Sequence, residues 1–285
     1  MELGTILVHL DHSERCLARV GLAVRLARAR GWHVVGLIPT GLRDGAIAPD
    51  AHPMRSPEFI GASADYLRLR ADATAHLFKQ IVRDSGQVSH EARLVDGGSA
   101  DALIDHGHAS DLIVVGQVDQ ARSDHDKTAD ATPRDLPGQA MLHSGRPVLV
   151  VPCAGHFEEV GRKVMVAWDG TREAAMALRD SLPLLDPAAR VMLISMRNER
   201  DAPDPRRLCV PETLAWLRRH GIDAQAEERV TALCITETLR VCAAHFGADL
   251  VVMGGFGHTR FREAMLGGTT REMLARAKLP VLISH

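Results

Sequence analysis

Near the end of the chain, glycines and hydroxyl residues stand at spacings that suit a phosphate. Gly254, Gly255 and Gly257 close an apolar run, Gly267 and Gly268 follow after a short loop, and Thr269 and Thr270 come directly after them. Glycine lets backbone N–H groups approach an anion closely and adopts positive φ without a Cβ penalty. A helix N-terminus adds unpaired N–H donors and a partial positive charge. Thr269 and Glu272 have the spacing of a capping box, which sets the start of such a helix near Thr269. His258, Arg260 and Arg262 lie inside the intervening loop and bring positive charge to it. A glycine-rich turn that only joins a strand to a helix is the competing reading of these residues.

The residues that must position this turn are apolar runs of strand length. Asp249 to Gly254 leads into the glycines, and Leu279-Pro280-Val-Leu-Ile283 ends the chain. The same alternation runs from the start. Thr5 to Leu10 reads as a buried strand closed by Asp11, and Ser13 to Arg30 has helical spacing up to Gly31. His33 to Ile38 is a second strand, residues 40–57 a loop, and Gly61 to Asp84 a long amphipathic helix. A strand over Ser89 to Val95, a helix over Ser99 to His108, and strands over Asp111 to Gly116 and Pro147 to Pro152 follow. Strands rich in Val, Ile and Leu that alternate with helices imply right-handed crossovers and a parallel sheet covered on both faces.

The pattern then repeats. Lys163 to Asp169 parallels Thr5 to Asp11, with a hydroxyl residue two positions beyond each aspartate, Thr171 and Ser13. Helices are expected over Arg172 to Leu185, Glu212 to His220 and Leu233 to Phe246, and strands over Arg190 to Ser195 and Ala224 to Val230. Ala248 to Gly254 parallels Ser110 to Gly116, and Leu279 to Ile283 parallels Arg146 to Val150. Landmarks in one order in both halves indicate an internal duplication, each copy a whole domain. The expected domains are residues 1–154 and 161–285. After Gly116 the first copy loses the glycines. Asp119, Asp124, Asp126, Asp130 and Asp135 stand there against Arg122, Lys127 and Arg134, a net negative loop with few close donors for an anion.

Composition narrows the classes. The 285 residues are 46% apolar and 25% charged, with a net charge of −2 and basic residues spread along the chain. No basic stripe is present, which speaks against nucleic acid as a partner. No apolar run is long enough for a membrane span and the N-terminus has no secretory pattern, so a cytoplasmic location is expected. The five cysteines form no C-x-x-C pair. Among fifteen histidines, His106 and His108 are the closest pair, but they lack the surrounding ligands of a metal site. His9, within the first strand, is expected to be structural.

With these landmarks in place the chain resembles a tandem universal stress protein. The likeness covers both halves and rests on strand one with its terminal Asp, the Asp249-Leu-Val-Val-Met-Gly254 strand, and the Pro280-Val-Leu strand. The family's motif is G-x2-G-x9-G followed by Ser or Thr; here it runs Gly254, Gly257, Gly267, then Gly268 in the hydroxyl slot and Thr269 one later. The resemblance implies two tandem doubly wound α/β domains, each a five-stranded parallel sheet of the adenine nucleotide α-hydrolase, Rossmann-like kind. It implies ATP, with or without Mg²⁺, at the carboxyl ends of strands one and four of the second copy. Asp169 would lie near adenine or ribose, Ala167 and Ile194 would bound the base through their backbone, and Gly254, Gly257, Gly267 and Gly268 would hold ribose and phosphates. Thr269 and Thr270 supply hydroxyls, and His258 and Arg260 supply charge. An Asx turn or helix cap is the alternative role for Asp169. The family also pairs domains edge to edge through strand five, which implies an internal pseudo-dimer and allows a homodimer.

The function that follows is adenine-nucleotide binding in the second domain, with a regulatory or stress-response role. Two alternatives stay open: a slow ATPase, and a nucleotide-independent scaffold or small-ligand binder. The chain has no Walker lysine motif and no Ser/His/Asp set in a nucleophile-elbow context, so hydrolysis is expected to be weak at most and no catalytic residue is assigned.

Overall fold

A computed structural model describes residues 4–13, 15–42, 57–117, 135–187, 189–199, 209–255 and 268–285. The chain divides into two compact units, Met1–Arg146 and Pro147–His285.

The first unit alternates β1 (Thr5–His9), α1 (Cys16–Arg30), β2 (His33–Pro39), α2 (Pro57–Asp84), β3 (His90–Val95), α3 (Ser99–Gly107), β4 (Leu112–Gly116) and α4 (Leu136–Ser144). β1 pairs in parallel with β2 and β4, and β2 in parallel with β3. The order is therefore β3-β2-β1-β4, with the first strand in the middle. β1 and β4 are buried nearly throughout, because a central parallel strand is covered on both faces. α1 packs against α2, and α3 against α4.

The second unit contains β5 (Val148–Val151), β6 (Lys163–Ala167), α5 (Arg172–Ser181), β7 (Arg190–Asn198), α6 (Val210–Arg219), β8 (Asp223–Thr231), α7 (Ile235–Phe246), β9 (Leu250–Gly254), α8 (Gly268–Arg276) and β10 (Val281–Ser284). Parallel ladders join β6 to β7 and β9, β7 to β8, and β9 to β10. β5, the fifth strand of the first repeat, groups with this unit and runs antiparallel to β10, Val281 opposite Val150 and Ile283 opposite Val148.

The repeated aspartates have a local cause. Asp111 accepts the Thr5 N–H at 2.7 Å, and Asp249 accepts the N–H groups of Gly161, Arg162 and Lys163 at 2.7–3.0 Å. In each unit the residue before strand four ties down the open start of strand one, where backbone donors lack ladder partners.

Three features differ from the sequence expectation. α4 falls within the stretch read as part of an altered loop; Pro137 in its first turn and Gly145 at its left-handed C-terminus, φ 65°, bound it. The helix expected to reach Leu185 stops at Ser181 and tightens into a 3₁₀ turn, Leu182–Leu184, because Pro183 carries no N–H to continue it. α8 starts at Gly268, and Glu272 does not return to Thr269: it accepts from the Cys234 thiol at 3.2 Å and pairs with Arg276 at 3.3 Å.

Candidate functional site

The carboxyl ends of β6, β7 and β9 meet at one edge of the second unit. Ala167, the last residue of β6, lies between Ile194 of β7 and Met253 of β9 in the ladders. Gly254 follows at the end of β9. The Trp168 N–H donates to the Ile194 carbonyl at 2.9 Å and carries the ladder one residue past β6. Ala167, Asp169 and Gly254 are all half-buried, whereas Ile194 is buried. Open α/β sheets place ligands outside the carboxyl ends of their parallel strands, the position these residues occupy.

Asp169 forms an Asx turn. Its Oδ1 accepts the Thr171 N–H at 3.0 Å and the Thr171 hydroxyl at 2.6 Å, and Thr171 Oγ1 caps α5 by accepting the Ala174 N–H at 3.3 Å. The turn engages one carboxylate oxygen; Oδ2 has no partner among the described residues. The turn and a ligand contact are therefore compatible roles, one for each oxygen.

Gly254 has a packing reason of its own. A Cβ there would lie 2.6 Å from the Ala174 nitrogen and from the Glu173 carbonyl carbon. The first turn of α5 sits on the strand end, and only glycine admits it. Gly255 is tethered on both sides: its N–H donates to the Ser284 carbonyl at 2.8 Å, and its carbonyl meets His285 Nδ1 at 3.0 Å. The chain end thus holds the start of the glycine turn.

Of the other expected residues, Thr270 is buried in the first turn of α8 and Thr269 half-buried. Gly268 is exposed, and a Cβ there would meet nothing within 4 Å. Close approach among the described residues does not account for that glycine. Gly257, His258, Arg260, Arg262 and Gly267 lie outside the described residues, as does most of the aspartate-rich loop of the first repeat.

The equivalent strand end of the first unit carries a cluster that the sequence reading did not assemble. Asp11 makes the same Asx turn, its Oδ1 accepting from the Ser13 N–H at 3.1 Å and hydroxyl at 2.6 Å. Arg19, 1% exposed, places Nη2 2.9 Å from Asp11 Oδ1 and donates from Nε to the His9 carbonyl at 2.8 Å. Gly116 makes room for it: a Cβ there would lie 2.2 Å from Arg19 Nη1. His9, 1% exposed, contacts Ser99 Oγ through Nε2 at 3.1 Å, and its Nδ1 lies 3.9 Å from Asp11 Oδ2 with no hydrogen-bond partner. Burial lowers the His9 pKa to about 4, against the opposing pull of Asp11 and with help from Arg19 and His12, so the imidazole is neutral. Burial alone would raise the Asp11 carboxyl; Arg19, His9 and the Ser13 hydrogen bond outweigh it and hold the group well below the usual carboxylate range.

The second repeat replaces these groups one for one. Ala167 stands at the place of His9 and Ala177 at the place of Arg19, eight residues beyond each aspartate; aligning Leu239 with Leu103 puts Ile235 at Ser99. A lone arginine on the apolar face of α1 was the only sequence signal for the cluster.

Among the described residues no group of three or more His, Cys, Asp or Glu is arranged to hold a metal ion, and no helix is long and apolar enough to cross a membrane. His108 Nε2 instead meets the His143 carbonyl at 3.3 Å.

Residues 161–285 match the model of the universal stress protein family. No curated protein matches the sequence. Among solved structures, a universal stress protein from Archaeoglobus fulgidus is similar over 99% of this chain and 96% of its own, with a TM-score of 0.74 and 13% identity. A putative universal stress protein from Pseudomonas aeruginosa is similar over 99% of this chain and 93% of its own, with a TM-score of 0.59 and 17% identity. A functionally unknown protein from the same species gives a TM-score of 0.59 at 16% identity, over 99% of this chain and 92% of its own. At these identities the structures speak for the fold, and the family model speaks for the second repeat. Residues 161–285 belong to the universal stress protein family, in a chain whose whole length takes the fold of universal stress proteins.

Proposed function

We propose that residues 161–285 bind an adenine nucleotide, ATP with or without Mg²⁺, at the carboxyl ends of β6 and β9, and that occupancy serves a regulatory, stress-response role. The observation that carries this is the state of Asp169. One oxygen is fixed by the Asx turn, the other has no partner among the described residues, and only the methyl groups of Ala167 and Ala177 stand where the first unit has an imidazole and a guanidinium. An oriented carboxylate oxygen beside a half-buried strand end is suited to accept hydrogen bonds from a ribose hydroxyl or an adenine amino group. Gly254, Gly257, Gly267 and Gly268, with Thr269 and Thr270, would supply backbone and hydroxyl donors to the phosphates, and His258 and Arg260 would add charge.

No catalytic residue is assigned to the site, and any ATP hydrolysis there would be slow. None of the five cysteines forms a disulfide, which suits a reducing compartment, and we propose a cytoplasmic location. Pairing of the two repeats through their fifth strands belongs to the same proposal and is supported by the β5–β10 ladder.

The test is to denature the purified protein, assay released nucleotide, and titrate the emptied chain with ATP with and without Mg²⁺. Binding that weakens at least tenfold in Asp169→Ala, about 1.4 kcal/mol, supports the proposal. No nucleotide in either assay contradicts it. A nucleotide-independent scaffold would instead keep its partners in a Gly254→Ala/Gly257→Val double variant.

A further inference from the structure

We propose that Ser99 is a serine nucleophile, activated by His9 and oriented through Asp11, that takes the acyl group of short-chain carboxylic esters.

The geometry supplies each part. Ser99 Oγ lies 3.1 Å from His9 Nε2, and Asp11 Oδ2 faces His9 Nδ1 across 3.9 Å. Nδ1 has no other partner among the described residues, so the carboxylate beside it favours the ring proton there and leaves Nε2 to accept the Ser99 hydroxyl proton. Arg19 and Ser13 bind Asp11 through Oδ1, which leaves Oδ2 as the oxygen aimed at the ring. A motion of about 1 Å closes that hydrogen bond, and distances of this kind commonly tighten only when substrate is bound.

Ser99 also opens α3, directly after Gly97 and Gly98, and the Gly98 cap position provides no side-chain hydrogen bond to the first turn. First-turn N–H groups have no intrahelical partner and are donors of the kind that stabilise an oxyanion. Among the described residues a Cβ at Gly97 would meet nothing within 4 Å, and one at Gly98 only Asp101 Oδ2 at 3.9 Å, so these residues leave the half-buried serine open to an ester over the glycine turn. The fold itself does not call for these groups, since the second repeat has Ala167 and Ile235 in place of His9 and Ser99.

In the reaction, Ser99 Oγ bonds to the carbonyl carbon as its proton passes to His9 Nε2. Collapse of the intermediate breaks the bond to the alkoxy oxygen, which leaves as the alcohol with that proton. Water then repeats the sequence in reverse, releasing the carboxylic acid and restoring Ser99. The buried imidazole is a weak base, so turnover is slow, and covalent capture is the sensitive readout.

The experiment treats the full chain with an alkyl fluorophosphonate probe and maps the adduct by peptide mass spectrometry; the Ser99 oxygen–phosphorus bond forms, fluoride leaves, and the hydroxyl proton departs through His9. The expected result is one phosphonyl group per chain, on Ser99, at a rate nearly constant from about pH 6 to 8, because an unassisted serine would gain about tenfold per pH unit from hydroxide. Ser99→Ala, a small change at a half-buried helix start, abolishes the adduct, and His9→Gln slows it at least about 100-fold. No adduct on the wild-type chain, an adduct that survives Ser99→Ala, or a rate that rises with hydroxide overturns the proposal. If His9→Gln fails to fold, the pH profile and Ser99→Ala decide the question alone.

Discussion

The two repeats end their first strands with the same aspartate and the same Asx turn, then use it differently. In the first unit Asp11 is consumed within the protein: Arg19 and Ser13 take one oxygen, and the other faces His9. In the second, Asp169 keeps an oxygen without a partner among the described residues, with alanines beside it. The strand-four glycines diverge in the same way. Gly116 gives way to a guanidinium, Gly254 to the first turn of α5. One strand end is therefore filled by its own charges, while at the other a carboxylate oxygen has no partner among the described residues. In a duplicated fold a single long basic side chain can occupy the space beside a strand-end carboxylate, provided that a glycine clears its path and the carboxylate balances its charge.

The sharpest way to break this contrast is to remove the internal cation. Arg19→Ala leaves Asp11 as a partly buried charge without its counter-ion, and the first unit should lose about 3–5 kcal/mol of stability in denaturant unfolding. The reciprocal change, Ala177→Arg, puts a guanidinium beside Asp169. It should weaken ATP binding at least about 100-fold, equivalent to about 2.7 kcal/mol, in a chain whose circular dichroism is unchanged.

Acid offers a second test, and its sign is fixed by burial. His9 has a folded pKa of about 4 against 6.5 when free, so the unfolded chain binds the extra proton first. Stability from this group is complete above pH 6.5 and is lost as pH falls toward 4, up to about 3 kcal/mol. The lowered Asp11 carboxyl acts in the same direction at still lower pH. Hydrogen exchange, corrected for intrinsic rates, should show protection in β1 and β2 falling over this range, while β6 and β9 of the second unit change little. His9→Asn should flatten the response.

Gly254→Ala gives a smaller effect, about 1–3 kcal/mol, because the incoming methyl meets helix backbone that cannot swing away. Equal tolerance of alanine at positions 254 and 268 in thermal melts would remove the packing reason for the first of these glycines.

The fold was legible because its signals are local and repeated. Apolar strands ending in Asp or Gly, helices ending in Gly31 and Gly247, and Asp111 and Asp249 before strand four all mark their elements by residue type. α4 was missed because its nine residues follow an aspartate-rich stretch and begin with Leu-Pro-Gly, which reads as a turn until the Gly145 terminus is seen. The capping box at Thr269 and Glu272 matched in spacing, yet Glu272 had better partners from α7 and its own next turn. Asp169 was singled out because it repeats Asp11, and the structure shows the same Asx turn at both. The Arg19, His9 and Ser99 cluster was not, because its members come from three elements up to 90 residues apart and only the fold brings them together. The glycine count was a blunter signal than it looked, since Gly254 answers to helix packing whether or not a nucleotide binds.

We propose that the strand-end crevice of the first unit is closed to nucleotide and that the crevice of the second unit takes it. Titrating the nucleotide-free chain with ATP and Mg²⁺ by calorimetry tests it most directly. One site per chain, lost in Ala177→Arg, is the expected result; two sites per chain, or a single site that survives that substitution, would contradict the proposal.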